Sequence, residues 1–142
     1  MRFIRKYNLN VITWTEAFLN YDKSIKNNEE VKQVHTPENH PDFFVSHMGH
    51  EIENLKPILK DLNCNTAHLY VNLSSIGGNT FGKHKDSMAV YYWQCQGISK
   101  WTVWSDKKEI VVLSPGDLIY CPANMYHEVI PLTPRLGLSM AS

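Results

Sequence analysis

The sequence predicts a mainly β domain, a barrel or sandwich, with one or two helices at its N-terminal end. Two observations carry this. From Ala67 onward seven β-prone runs follow one another, namely AHLYVNL, AVYYWQC, KWTVW, IVVL, DLIYC, HEVI and RLGLSM. Between them SSIGGN, SDKK, SPG, PAN and PLTP supply the Gly, Pro and Asn that tight reversals require. So many short strands in so little chain favour closure into a barrel or sandwich.

The N-terminal part has a different texture. Thr13 and Glu16 have capping-box spacing, and Trp14, Ala17, Phe18, Tyr21 and Ile25 recur at three- and four-residue intervals, which predicts a helix over 14–26 stopped by Asn27 and Asn28. VKQVHT alternates weakly, and Phe43, Phe44 and Val45 predict a buried strand. Asn54 is the expected cap of a second helix through Leu62, with Pro57 in its first turn and Leu55, Ile58, Leu59 and Leu62 on one face. With no repeat and no linker, 1–142 is read as one domain, in which 1–66 brace a β core formed by 67–142.

At 142 residues, 43% hydrophobic and 20% charged, the chain is long and apolar enough to bury a core. Fourteen basic and fourteen acidic residues cancel, and no run of like charge occurs, which argues against nucleic acid or an anionic membrane as principal partner. No stretch approaches the ~20 apolar residues of a membrane helix, and MRFIRKYNLN is not followed by a signal-length apolar run. Cys64, Cys95 and Cys121 are odd in number and lack C-x-x-C spacing. The expected location is therefore cytoplasmic.

His84-Lys85-Asp86 carries the first chemical signal, because residues i and i+2 of an extended strand project from one face and can grip one ion. The triplet sits in a frame. Gly78, His84, Asp86, Val90 and Gly97 are followed by Gly116, Pro122, Asn124 and His127. This frame resembles the two motifs of the cupin superfamily, with Val90 where many members place a fourth ligand, Glu, and with Asn124 replacing a turn Gly, a position Asn tolerates. The resemblance implies three protein ligands, His84, Asp86 and His127. Two imidazoles and a carboxylate with the opposite face open are typical of non-haem Fe(II) oxygenases, zinc being the alternative.

Residues 67–141 bear a closer likeness to the JmjC-type cupins, in particular to protein hydroxylases of the ribosomal-oxygenase type. Phe81-Gly-Lys-His84-Lys-Asp86, Val90-Tyr91-Tyr-Trp-Gln94-Cys-Gln-Gly97-Ile-Ser-Lys100-Trp101, Leu113-Ser-Pro115-Gly116-Asp117-Leu-Ile-Tyr120-Cys-Pro122 and His127-Glu-Val carry it. The likeness implies a double-stranded β-helix, the cupin or jelly-roll barrel, that uses Fe(II) and the co-substrate 2-oxoglutarate, with a protein side chain as one substrate class. Such barrels often pair through sheet edges, which makes a homodimer an expected state.

The co-substrate anchor departs from the family. Ser99 stands at the family's basic position, and strand parity turns the adjacent Lys100 away unless a bulge intervenes. Arg135, eight residues after His127 and four before Ser139, resembles the arginine other 2-oxoglutarate oxygenases place on the strand after the distal His, and its planar fork suits a carboxylate. Tyr70 and Asn72 share a strand face with His68 and match polar co-substrate contacts of the family, a core role for Tyr70 being an equal reading.

The remaining candidates have plain readings. His47 and His50, spaced His-x-x-His around Gly49, are read as surface residues, and His35 and His40 as loop residues. His68 is expected as a hydrogen-bonded interior histidine, Gln94 as a satisfied interior amide or a pocket residue, and Trp93, Trp101 and Trp104 as core. Lys83 and Lys85 are read as solvated. Two further functions fit the same residues: a metal-dependent cupin enzyme without 2-oxoglutarate, such as a small-molecule dioxygenase or isomerase, which Ser99 favours, and a non-catalytic cupin binding module.

Overall fold

A computed structural model describes residues 2–27, 42–75 and 81–142. In chain order the elements are β1 (Arg2–Ile4), α1 (Trp14–Lys26), β2 (Phe43–Ser46), α2 (Lys56–Asp61), β3 (Thr66–Asn72), β4 (Val90–Gln96), β5 (Ser99–Trp104), β6 (Lys108–Leu113), β7 (Leu118–Cys121), β8 (Tyr126–Pro131) and β9 (Arg135–Ala141). Each of the seven β-prone runs after residue 66 is a strand. Gly78, His35, His40 and VKQVHT lie outside the described residues.

The strands form two sheets, ordered β1-β7-β4-β9-β3-β2 and β6-β5-β8, with antiparallel pairing throughout. This is the expected jelly-roll. β1 and β2 lie at the two edges of the larger sheet, so the N-terminal part extends the sheet as well as covering it. β1, with three residues, is too short to leave a periodic signal.

Period-two alternation divides the larger sheet into two faces. Leu69 and Val71 of β3, Trp93 and Cys95 of β4, and Leu136, Leu138 and Met140 of β9 pack with Ile12, Ala17, Leu55, Ile58 and Leu59 from the helical segment. The alternate residues of the same strands face the smaller sheet. There Val90, Tyr92, Ile119 and Cys121 meet Trp101, Val103 and Leu113. The helices thus seal one face and leave the other to line an interior.

α1 begins as its capping box predicts: the Thr13 hydroxyl accepts from the Glu16 amide and the Thr13 amide donates to Glu16 Oε1, both at 3.1 Å. The second helix corrects the expectation. Its cap is Leu55, with no side-chain hydrogen bond, and a 3-10 turn over Glu53–Leu55 precedes it. Asn54 instead donates from Nδ2 to Glu16 Oε2 at 2.7 Å, tying the entry of α2 to the first turn of α1. No helix among the described residues is long and apolar enough to cross a membrane.

Candidate metal centre

His84 and His127 come together through the backbone. They form an isolated antiparallel bridge in which the His84 amide donates to the His127 carbonyl at 3.0 Å and the His127 amide donates back at 2.8 Å. His84 and Asp86 do not lie on a regular strand, as their spacing suggested; only this bridge attaches His84 to β8. Gly82, at φ 70°, turns the chain just before it. The Asn124 amide then donates to the Asp86 carbonyl at 2.7 Å, and Asn124 itself adopts φ 63°, the turn conformation expected of the residue replacing Gly.

The imidazoles share one tautomeric logic. Nδ1 of His84 lies 2.8 Å from the Gly82 carbonyl, and Nδ1 of His127 lies 3.0 Å from the Met125 carbonyl. A carbonyl only accepts, so each Nδ1 carries the proton and each Nε2 keeps its lone pair free. Both free nitrogens face Asp86: His127 Nε2 is 3.5 Å from Oδ2 and His84 Nε2 is 3.9 Å from Oδ1. One donor atom from each of the three residues falls within 4.8 Å of the others. Burial, reinforced by His84, holds the His127 pKa below its ordinary value and so favours the neutral ligand form.

Among the described residues no fourth His, Cys, Asp or Glu donor joins the three. Val90 lines the cavity at the position of a fourth cupin ligand and has no donor atom. Cys121 Sγ is 3.5 Å from His127 Nδ1, on the proton-bearing side, and burial pushes its thiol up to about 11. Trp101 stacks on His127 with ring centres 5.3 Å apart and planes 9° from parallel, which fixes the ring orientation.

The site opens into a cavity of about 690 Å³ between the two sheets. Arg135, 3% exposed, stands in its wall and donates from Nε to Asn72 Oδ1 at 2.7 Å and from Nη1 to the Tyr92 hydroxyl at 2.9 Å. Phe43, Tyr70 and Tyr92 surround the guanidinium, each ring centre 5.8 Å from Cζ. Among the described residues Arg135 makes no ion pair, although a buried charge is costly without a counter-charge. Burial pushes the Tyr70 hydroxyl up to about 12, so it remains a donor.

The other sequence candidates divide by strand parity. Tyr70 and Ser139 line the cavity, and Asn72 supports Arg135 from behind. Lys100 does not line it: β5 pairs without a bulge from Ser99 to Trp104, which leaves Lys100 on the opposite face from the buried Ser99 and Trp101. Gln94 is a satisfied interior amide, accepting from Tyr92 and donating to the carbonyls of Gln96 and Gly97. Trp93 is core, Trp101 is a cavity wall, and Trp104 lies under Lys83 Nζ at 4.1 Å. Trp101 Nε1 and Ser99 Oγ are buried without a hydrogen-bond partner among the described residues.

His47 departs from the surface reading. His50 is exposed, but His47 is half-buried, lines the cavity and pairs with His68, Nδ1 to Nε2 at 3.2 Å. Tyr92 is the cavity residue that motif reading passed over. Its signal was parity, since it alternates with Trp93 and follows Val90 by two.

The chain folds as a cupin. Over 98% of its length it superposes on the Escherichia coli ribosomal oxygenase YcfD, solved with cobalt and 2-oxoglutarate, at TM-score 0.72 and 15% identity, covering 46% of that chain. The same enzyme with cobalt and succinic acid gives TM-score 0.75 at 14% identity, with 99% of this chain and 48% of that one covered. KdgF from Halomonas sp. matches at TM-score 0.53 and 16% identity, over 80% of this chain and 87% of its own. This chain therefore spans less than half the length of YcfD. No family model matches the sequence, and neither does any curated protein.

Proposed function

We propose that the chain is an Fe(II)- and 2-oxoglutarate-dependent oxygenase of the JmjC type that hydroxylates a protein side chain. The observation that carries this reading is the placement of Arg135, a buried cation without a carboxylate partner among the described residues, in the same cavity as the His84, Asp86 and His127 donors. A dicarboxylic 2-oxoacid is complementary to both at once, chelating the ion at one end and meeting the guanidinium at the other. The donor set suits a divalent ion, since each imidazole presents a free Nε2 beside a carboxylate.

Bound there, the metal with its co-substrate would supply oxygen activation, which protein side chains cannot. The protein's own residues position and exclude. The Gly82 and Met125 carbonyls hold the two imidazoles in the ligating tautomer, and Trp101 fixes the plane of His127. Asn72 and Tyr92 aim the guanidinium, while the rings of Phe43 and Tyr70 pack against it. The unpaired cysteines favour a reducing compartment, the cytoplasm.

Anaerobic addition of 2-oxoglutarate to the Fe(II) protein is expected to give a visible charge-transfer band, and air is expected to give succinate. Absence of both refutes the proposal. A second reading, a metal cupin that uses no 2-oxoacid, is favoured by Ser99 at the family's basic position. It predicts stoichiometric iron with neither signal.

A further inference from the structure

The cavity carries a second polar feature, the His47–His68 pair. Its rings meet edge to face with centres 4.4 Å apart. A run of ring contacts separates it from the metal donors: His68 to Tyr70 at 6.5 Å, Tyr70 to Phe81 at 5.8 Å and Phe81 to His84 at 5.8 Å. Neither ring joins the His84, Asp86 and His127 group, whose donor atoms all lie within 4.8 Å of one another.

His47 is held there by a dedicated network. The Ser46 hydroxyl donates to Asn20 Oδ1 at 2.8 Å, Asn20 Nδ2 donates to the Met48 carbonyl at 2.9 Å, and the Met48 amide donates to Ser46 Oγ at 3.3 Å. Gly49 lets the turn close onto β3, because a Cβ there would lie 2.8 Å from the Ala67 carbonyl oxygen. Helix α1 thus fixes an imidazole at the cavity wall.

Space remains for a substrate beside a co-substrate. A five-carbon 2-oxo diacid has ten non-hydrogen atoms and, at even one liquid-water volume of about 30 Å³ each, leaves more than half of the 690 Å³. We propose that the His47–His68 pair is the substrate-recognition point of this cavity and takes a carboxamide, as of an Asn or Gln side chain or a peptide bond. The proposal rests on the oxygenase reading only for what happens at the metal.

The chemistry follows from the shared proton. One imidazole donates to the other at 3.2 Å. Whichever donates, one outward nitrogen of the pair is then an N–H donor and the other a bare acceptor. Neither His47 Nε2 nor His68 Nδ1 has a partner among the described residues. A carboxamide offers its acceptor and donor on separate atoms and answers both. A carboxylate meets the bare acceptor unfavourably, and an ammonium meets the N–H. Burial, with His47 and His50 adding to it, holds the His68 pKa down and favours its neutral form.

The test uses the full chain loaded with Zn²⁺ and reads the imidazole nitrogens of His47 and His68 by ¹H–¹⁵N correlation spectroscopy. Butyramide, butyrate, butylammonium and 2-pentanone are titrated separately. Butyramide is expected to shift both rings and to saturate at the lowest concentration, and His68→Phe is expected to weaken it about three- to tenfold. Equal or tighter response to butyrate, butylammonium or 2-pentanone overturns the proposal, as does no response to butyramide. So does a second equivalent of Zn²⁺ shifting these nitrogens, which makes the pair a metal site. The ranking is read on the unaltered chain, so a variant that fails to fold does not decide it. Absence of succinate from the Fe(II) protein sinks the oxygenase reading and leaves this ranking in place.

Discussion

The hydroxyl of Tyr92 accepts from the Arg135 guanidinium at 2.9 Å and donates to Gln94 Oε1 at 2.8 Å, which orients a buried cation through a buried relay. Tyr92→Phe keeps the ring and removes the relay. The bond lost comes from a charged donor, worth about 1.5–3 kcal/mol in full, but Tyr92 acts on the co-substrate only through Arg135, so the KM for 2-oxoglutarate is expected to rise by roughly two- to tenfold. Arg135→Met removes a charge-assisted contact of about 1.5–3 kcal/mol, a roughly ten- to hundredfold rise, while Lys100→Ala leaves KM unchanged. Succinate formation against 2-oxoglutarate concentration measures all three. A larger effect from Lys100 would contradict the assignment.

Replacing His84 or Asp86 by Ala removes a donor without opening the sheets. Iron stoichiometry is expected to fall to near zero by colorimetric assay, with the far-ultraviolet dichroism unchanged. Metal added to the unaltered protein should raise Tm, because a ligand that binds only the folded state stabilises it by mass action. The Asp86→Ala protein should show no such rise.

Gly137 faces Tyr92 so closely that a Cβ would lie 1.9 Å from the Tyr92 hydroxyl oxygen. Gly137→Ala must displace that ring and with it the support of Arg135. Overpacking of this kind costs about 1–3 kcal/mol. Urea denaturation should register that loss, and the 2-oxoglutarate KM should rise while iron stoichiometry holds. A variant as stable as the parent would show that the ring moves freely.

The His68 pKa lies below its ordinary 6.5, chiefly through burial. Between that lowered value and 6.5 the unfolded chain binds a proton that the folded chain refuses, so stability falls as pH drops through this window and is constant above it. Denaturation of the apo-protein from about pH 8 to about pH 5 should therefore show a steeper decline for the parent than for His68→Gln. Parallel curves would mean that His68 takes up its proton in the folded state.

Local and repeating features were legible in the sequence. Thr13 and Glu16 announced the start of α1, and the seven β-prone runs announced β3 to β9. Family likeness pointed to Tyr70, Arg135 and Ser139, which line the cavity, and strand parity turned Lys100 away from it. What escaped depends on contacts distant along the chain. His47 reaches the cavity because Asn20 of α1 holds the turn after a four-residue strand, and no spacing around His47 encodes that helix. Asn54 has the composition of a cap, yet Glu16 takes its amide. His84 and Asp86 are presented by a single bridge and not by a strand, a distinction that i, i+2 spacing does not make.

That bridge separates two kinds of failure. Among the described residues, backbone hydrogen bonds hold the loop bearing His84 and Asp86 to the rest of the molecule only where His84 exchanges with His127 and where Asn124 donates to Asp86. A bound ion would act as the rivet of this flap. Metal depletion would then loosen the flap long before the barrel unravels, so the same polypeptide could lose its cargo and reload it without refolding.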